Sequence, residues 1–179
     1  MQALAWVTDQ VGRSPASLTE DDIKYSHRII LKPIRDDDAG CYRSVPVQLD
    51  GSKVHFPNPL KVPDLMRDFV SWLSHEQNLH PVELAAEAHY RLVSIHPFVD
   101  GNGRTARLLM TLILLMHNYP IAIIRKRDRG AYIRALEKAQ LGGSKDDYFA
   151  IIIDADDRSL DVYLKAAAGE DPDPIDQDW

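Results

Sequence analysis

Residues 96–107, HPFVDGNGRTAR, place a histidine, a carboxylate, a Gly-Asn-Gly turn and two arginines within one short stretch. His96 can take a proton near neutral pH. Gly101 and Gly103 have no side chain, so they let an anion approach backbone N–H groups at the start of a helix. A base beside a phosphate cradle predicts a reaction in which a hydroxyl is deprotonated and attacks phosphorus.

The two arginines of this stretch extend the predicted anion site onto the helix that follows. Arg104 and Arg107 are three residues apart, so both point to one side of the helix. Near the positive N-terminal end they oppose the helix dipole unless an anion with several oxygens binds them. Asn102 tolerates unusual backbone angles and adds amide donors. The alternative is that each arginine pairs with a carboxylate in the core.

Asp100 is the carboxylate of the stretch and the candidate metal ligand. Mg²⁺ usually binds one or two carboxylates together with substrate phosphates, and Asp100 lies beside the predicted phosphate site. The alternative is a turn residue, which is a common role for Asp before Gly. A zinc pair of His96 with His89 is excluded, because seven residues along a helix separate them by about 10 Å.

The patterns on either side predict that the motif joins two helices of a mainly α bundle. Pro81 can open a helix that ends at His96, and a helix over 103–118 is apolar on nearly every side, which predicts the central buried helix. Two helices are predicted before the flanking pair: one ends near Gly12, and one runs from a Thr19 cap to about Pro33. A third begins after Pro63 and a fourth covers 127–139. One or two C-terminal helices are predicted over 145–153 and 157–168.

Residues 42–56 have a different pattern, which predicts one β-hairpin. Val45, Val47 and Leu49 alternate with polar residues, and Asp-Gly at 50–51 is a tight-turn signal. Alternation resumes up to Phe56, where prolines forbid further strand pairing.

Composition excludes several classes of protein. The chain of 179 residues fits one domain, and its net charge of -6 argues against chain-wide binding of nucleic acid. Cys41 is the only cysteine, so no intrachain disulfide is available. The longest apolar stretch, 108–116, is too short to span a bilayer, and no secretory leader is visible. We expect a cytoplasmic protein without membrane association.

The stretch 96–107 resembles the motif of the Fic family, H-x-F-x-[D/E]-G-N-G-R-x-x-R, at every fixed position. Similarity extends to AGCYR at 39–43, HPV at 80–82 and IRK at 124–126. It implies a Fic domain over 13–168, preceded by the end of a helix over 1–12. An acidic, disordered tail is expected over 169–179.

The resemblance implies a protein adenylyltransferase that transfers AMP from ATP to a Ser, Thr or Tyr hydroxyl of a target protein and releases pyrophosphate. His96 would be the base, and Asp100 would hold the Mg²⁺. The nucleotide would be bound by Gly101, Asn102, Gly103, Arg104, Arg107 and Tyr132. Arg107 would hold the γ-phosphate, and Tyr132 would lie near the adenine. A flap formed by Gly51, Ser52, Lys53, Val54 and His55 would align the target.

The chain resembles class II Fic proteins that lack, or are truncated before, the N-terminal inhibitory helix. That helix carries [S/T]-x-x-x-E-[G/N], whose glutamate pairs with the second arginine of the motif. Neither end of this sequence contains the pattern, and AGED at 168–171 lacks the Ser or Thr. The resemblance therefore implies an uninhibited transferase, without removal of AMP.

Two other functions stay open at this point. One is transfer of another nucleotide or phosphate-containing group; related toxins that act as kinases carry Lys where this chain has Gly103. The other is a non-catalytic nucleotide-sensing or protein-binding module that uses the basic run at 125–129. The target could be the chain itself, and a homodimer is compatible with the sequence.

Overall fold

The computed structural model describes residues 2–32, 37–76 and 78–170. Within these ranges the chain is mainly helical. The helices are α1 (Gln2–Gln10), α2 (Glu20–Leu31), α3 (Val62–His75), α4 (Pro81–Ile95), α5 (Asn102–Met116), α6 (Arg129–Gln140) and α7 (Asp146–Ala168), with short 3-10 turns at Pro15–Ser17, Pro59–Lys61 and Lys126–Asp128. The one or two helices predicted over 145–153 and 157–168 are the single helix α7 in the structure.

The antiparallel pair α4 and α5 forms the centre of the bundle. Leu112, Ile113 and Leu114 of α5 are fully buried, as are Ala85 and Leu92 of α4. Helices α2, α3 and α7 pack around this pair. The prediction of a buried central helix is confirmed, and the loop between α4 and α5 is thereby fixed at both ends.

The start of α2 follows the sequence signal at Thr19. The Thr19 Oγ1 accepts a hydrogen bond from the Asp22 N–H at 3.2 Å, and the Asp22 carboxylate accepts one from the Thr19 N–H at 2.9 Å. This reciprocal pair satisfies N–H groups that have no partner within the helix. The cap matters for the site because α2 carries His27.

We expect Thr19→Ala to lower the free energy of unfolding by about 1 kcal/mol, because it leaves the Asp22 N–H without its acceptor. In a chain of this size the loss corresponds to a melting temperature about 2–4 °C lower. Thermal unfolding measures it, and Thr19→Ser, which keeps the oxygen, is the control. Equal stability of the two variants would contradict the capping role.

The β-hairpin predicted over 42–56 does not form paired strands, because none of these residues lies in a strand. The turn itself forms: Gly51 has φ 72°, and the Ser52 N–H donates to the Leu49 carbonyl at 3.2 Å. The arms are joined by the Gln48 side chain, which donates to the carbonyls of Ser52 and Val54 at 2.9 and 3.1 Å. Side chains therefore replace the backbone ladder, and we call residues 42–56 the flap.

Within 2–32, 37–76 and 78–170 no helix is long and apolar enough to cross a membrane. The predicted end of α2 near Pro33 and residues 171–179 of the acidic tail lie outside the described residues.

Candidate functional site

Two residues of the loop between α4 and α5 have a left-handed backbone conformation. His96 follows the last residue of α4 with φ 52° and ψ 59°, and Gly101 precedes α5 with φ 77°. A Cβ added to Gly101 would lie 3.2 Å from Nε2 of His27, so the position has little room for a side chain. Past Gly101, the first N–H groups of α5 have no acceptor within the helix, which makes this end an anion site.

Asn102 holds the loop in shape with its side chain. Its Oδ1 accepts from the Phe98 N–H at 2.9 Å, and its Nδ2 donates to the Phe98 carbonyl at 2.8 Å. The residue is 2% exposed. The Asn102 side chain thus binds inside the loop through its oxygen and one of its two amide N–H groups, which leaves the backbone N–H as the better-placed donor to a phosphate.

His27 is a positioning residue that the sequence analysis missed. Its Nδ1 accepts a hydrogen bond from the Gly40 N–H at 2.9 Å, so Nε2 carries the proton and donates to the Asp100 carbonyl at 3.0 Å. Its ring stacks on Phe98 at 3.7 Å and 4°. Burial lowers the pKa of His27, which favours this neutral form. In the sequence His27 is one polar residue in an apolar helical stripe, a weak signal for such a role.

His96 presents one ring nitrogen as a free base. Its Nδ1 lies 3.1 Å from the Val93 carbonyl, which can only accept, so Nδ1 carries the proton and Nε2 keeps its lone pair. The ring stacks on Phe56 of the flap at 3.8 Å. Burial lowers the pKa of His96 to about 4, and the nearby Arg43 charge lowers it further against the effect of Val93. The imidazole is therefore neutral at physiological pH.

Arg43 joins the flap to the catalytic loop, a role that no sequence pattern indicated. The side chain is buried and donates to three carbonyls: His96 at 2.7 Å, Pro57 at 2.7 Å and Val45 at 3.2 Å. Its backbone N–H donates to the Pro97 carbonyl at 2.9 Å. Both ends of the flap and the backbone of His96 are thus fixed by one guanidinium.

Asp100 and Arg104 form an ion pair at the mouth of the loop. Arg104 Nη2 and Asp100 Oδ2 are 3.3 Å apart, with side chains 38% and 53% exposed, and Asp100 Oδ1 accepts from the Gly101 N–H at 2.6 Å. The partner of Arg104 is an exposed loop carboxylate rather than a core one. The described residues hold no cluster of three or more His, Cys, Asp or Glu suited to a metal. One exposed carboxylate fits a Mg²⁺ whose remaining ligands come from phosphates and water.

Arg107 folds back toward the start of α5. A Cβ added to Gly103 would lie 3.5 Å from Arg107 Nη1. The guanidinium therefore lies beside Gly103, on the side of the anion site. Burial raises the pKa of Tyr132 to about 12, and the charge of Arg107 acts in the opposite direction. Tyr132 itself is 5% exposed, and its hydroxyl lies 2.8 Å from His89 Nε2. This buried position leaves little of the Tyr132 ring for the adenine contact that the resemblance implies.

The tip of the flap is attached to α6 by Glu137, another residue that the sequence analysis missed. Glu137 Oε1 accepts from Ser52 Oγ at 2.8 Å and from the Lys53 N–H at 3.0 Å. These bonds lower the pKa of Glu137, the Lys53 N–H having the larger effect. Of the other predicted flap residues, Gly51 and His55 are exposed and Val54 is buried. The flap is therefore held at its tip by α6 and at its base by Arg43.

Comparison with known proteins identifies the family to which this arrangement belongs. The sequence profile of the Fic/DOC family matches residues 17–114, which include the flap, α4 and all but the last two residues of α5. The chain belongs to the Fic/DOC family. The structure has this family's fold: Fic-1 from C. elegans superposes with a TM-score of 0.81 and 32% identity over 93% of this chain and 49% of that one.

Two further members of the Fic family are similar along most of this chain. Protein adenylyltransferase Fic of Drosophila grimshawi is 40% identical over 153 residues, which are 84% of this chain and 31% of the relative. A Fic-domain signalling protein from Bacteroides thetaiotaomicron superposes with a TM-score of 0.79 and 30% identity, over 96% of this chain and 73% of that one. The chain spans about a third of the length of the curated relatives it matches.

Proposed function

We propose that the chain is a protein adenylyltransferase, which transfers AMP from ATP to a hydroxyl of a target protein and releases pyrophosphate. The observation that carries the proposal is the neutral His96, whose free Nε2 stands at the end of α4 beside the anion-binding start of α5. Curated relatives at about 40% identity are named protein adenylyltransferases, which supports the same chemistry.

Each step of the transfer has a residue suited to it. His96 Nε2 accepts the proton of the target hydroxyl as its oxygen forms a bond to the α-phosphorus. The bond from that phosphorus to the bridging oxygen breaks, and pyrophosphate leaves with the electron pair. The N–H groups of Asn102 and Gly103, together with Arg104 and Arg107, would neutralise the charge on the phosphates.

Asp100 is the residue that would hold Mg²⁺. The metal would neutralise phosphate charge as a Lewis acid. In the structure the Arg104 guanidinium forms an ion pair with the same carboxylate. Tyr132 is 5% exposed, so any contact it makes with adenine would involve only the edge of its ring.

The flap would align the target segment beside His96. Residues 51–55 are the part of the flap proposed to contact the target, and Phe56 of the same segment stacks on His96. Because Glu137 engages the Lys53 N–H, that donor is unavailable to a target strand unless the bond breaks. Membrane and nucleic acid are not expected as partners, and a cytoplasmic location stays a prediction.

The proposal is tested with ATP labelled either on its α- or on its γ-phosphate. The chain is incubated with Mg²⁺ and a protein extract, and the label on protein is counted after gel separation. We expect protein labelling from α-labelled ATP alone. Labelling from γ-labelled ATP alone would replace the proposal with phosphorylation, and ATP binding without any labelling would favour a sensing module.

The pH dependence of transfer follows from the lowered pKa of His96, about 4. A general base acts in its neutral form, so protonation of His96 leaves the rate unchanged from pH 8 to about 5. Below about 4 the rate falls about tenfold per pH unit. Single-turnover rates across this range, with circular dichroism to verify folding, measure the effect. A rate that falls to half near pH 6.5, the ordinary pKa of a histidine side chain, would contradict the role of His96 as a buried neutral base.

A further inference from the structure

Phe56, the last residue of the flap, covers one face of the His96 imidazole. The two rings stack with their centroids 3.8 Å apart and their planes 23° apart. Both side chains are partly buried, and the contact joins two segments that are distant in the sequence. The side chain proposed as the base therefore touches the segment proposed to align the target.

The backbones behind the two rings are held together by Arg43. Its guanidinium donates to the carbonyl of His96 and to the carbonyl of Pro57, the residue after Phe56, at 2.7 Å each. Arg43 is 3% exposed, so water competes little for these bonds. Because one buried side chain spans both backbones, the distance between the two rings is fixed by the fold.

Phe56 restricts a motion of His96 that its other contacts leave open. The bond between His96 Nδ1 and the Val93 carbonyl, at 3.1 Å, holds one edge of the imidazole. The last torsion of a histidine side chain has broad minima, so a ring held at one edge can still tilt. A second ring stacked at 3.8 Å limits that tilt. Nε2, on the other edge, then keeps one direction.

Phe56 also keeps water from one face of the imidazole. Burial is the largest effect on the pKa of His96 and lowers it to about 4, since the charged ring loses its hydration. The attraction of an imidazolium to an aromatic face acts in the opposite direction. The low pKa of His96 shows that loss of hydration is the larger of the two effects.

The charged groups around His96 come from the flap, the loop and α5. Arg43 of the flap lowers the pKa of His96, and Asp100 of the loop raises it. On α5, Arg104 is paired with Asp100, and His55, next to Phe56 in the flap, is exposed to solvent. Since the two charges nearest the ring oppose each other, exclusion of water decides the form of His96.

We propose that Phe56 is a positioning residue for the transfer, which fixes the plane of the His96 imidazole and shields it from water, so that the flap controls the base as well as the target. The inference rests on the proposed function and deepens it by adding a flap residue that acts through His96.

The first test follows the ring C–H signals of the histidines by NMR between pH 8 and 4, on the chain without substrate. The His96 signal is identified by its loss in His96→Asn. In the parent it should not move between pH 8 and 5. In Phe56→Ala its midpoint should lie at least about one pH unit higher than in the parent, because water reaches the ring.

Three further variants accompany this titration. Phe56→Leu keeps most of the apolar volume and should raise the midpoint by less than Phe56→Ala does. Phe56→Tyr keeps the aromatic ring and should restore the parent titration. Leu60→Ala removes an apolar side chain that is 85% exposed and lies just beyond the flap, so it should change nothing. Circular dichroism at each pH verifies that every variant is folded.

The second test measures single-turnover transfer from α-labelled ATP over the same pH range. Phe56→Ala should lower the rate about tenfold at pH 7.5, where His96 is neutral in both proteins, because the ring is no longer held in one plane. The pH at which half of the rate is lost should rise with the NMR midpoint. A purely structural role would lower the rate at every pH and leave that midpoint in place.

The possible failures of the inference and of the proposed function can be told apart. If the His96 signal of folded Phe56→Ala titrates as in the parent, or the parent itself titrates near pH 6.5, the role of Phe56 is wrong and the proposed function stands on its own test. If the parent transfers no AMP, the proposed function fails, and a positioning role in the transfer fails with it.

Discussion

Replacing His96 with alanine is expected to lower the rate of adenylyl transfer by about 10²–10⁴-fold, the usual contribution of a positioned general base. The variant loses the only ring nitrogen that the structure places free beside the start of α5 among the described residues. ATP binding should persist, because the N–H groups of α5 and its arginines are unchanged. Single-turnover rates and nucleotide affinity, measured on the same preparation, separate the two effects.

Two variants control for damage to the fold. His96→Asn tolerates the left-handed backbone at this position and cannot act as a base, so it should be as inactive as His96→Ala. His75→Ala removes an exposed histidine whose Nδ1 lies 2.7 Å from the Ser71 carbonyl in a similar helix-end position, and should keep full activity. Substantial activity in His96→Asn would show that another group takes the proton.

Replacing Asp100 with alanine is expected to lower the rate by at least about 10²-fold at millimolar Mg²⁺, because the metal loses its protein ligand. Raising the Mg²⁺ concentration should restore part of the rate. Arg104 also loses its ion-pair partner, which frees it for phosphate, so nucleotide binding without metal should not weaken. Initial rates over a Mg²⁺ titration measure the effect.

Asp64→Ala is the matched control for this experiment. Asp64 forms an exposed ion pair with Arg67 at 3.0 Å near the start of α3, and its loss should change neither the rate nor the Mg²⁺ dependence. A normal Mg²⁺ titration in Asp100→Ala would assign the metal to other ligands. It would leave Asp100 with only its bonds to Gly101 and Arg104.

The helical part of the fold could be predicted because its signals are local. The capping pair of Thr19 and Asp22, Pro81 at the start of α4, and the all-round apolar α5 each act within a few residues. From the sequence, the glycines of the motif were assigned to the approach of an anion; the structure adds that Gly101 has a positive φ, which glycine adopts without strain.

The flap could not be predicted correctly, because its conformation depends on distant side chains. Alternation of apolar residues at 45–49 indicates a strand when a partner strand is available. Here the Lys53 N–H donates to the Glu137 carboxylate instead, and two carbonyls of the flap accept hydrogen bonds from the Gln48 side chain. Tertiary contacts of this kind override the β-propensity of the residues. Arg43 likewise has no local pattern that reveals its three carbonyl partners.

The positioning residues of the site were hidden for a related reason. His27 and His89 look like polar residues within apolar helix faces, and only the folded chain brings them to Asp100 and Tyr132. Tyr132 was expected beside the adenine because of the resemblance to the Fic family, and the structure adds that its hydroxyl lies 2.8 Å from the buried His89 Nε2. A sequence indicates which groups can do chemistry, but the partners that orient them come from other helices.

The most direct measurement is tandem mass spectrometry of the proteins present after incubation of the chain with Mg²⁺ and ATP. The account predicts AMP attached through a Ser, Thr or Tyr oxygen, on a target protein or on the chain itself, and no such product with His96→Ala. A phosphate or another group at those positions would contradict it. So would AMP attached to the same extent by the His96→Ala variant.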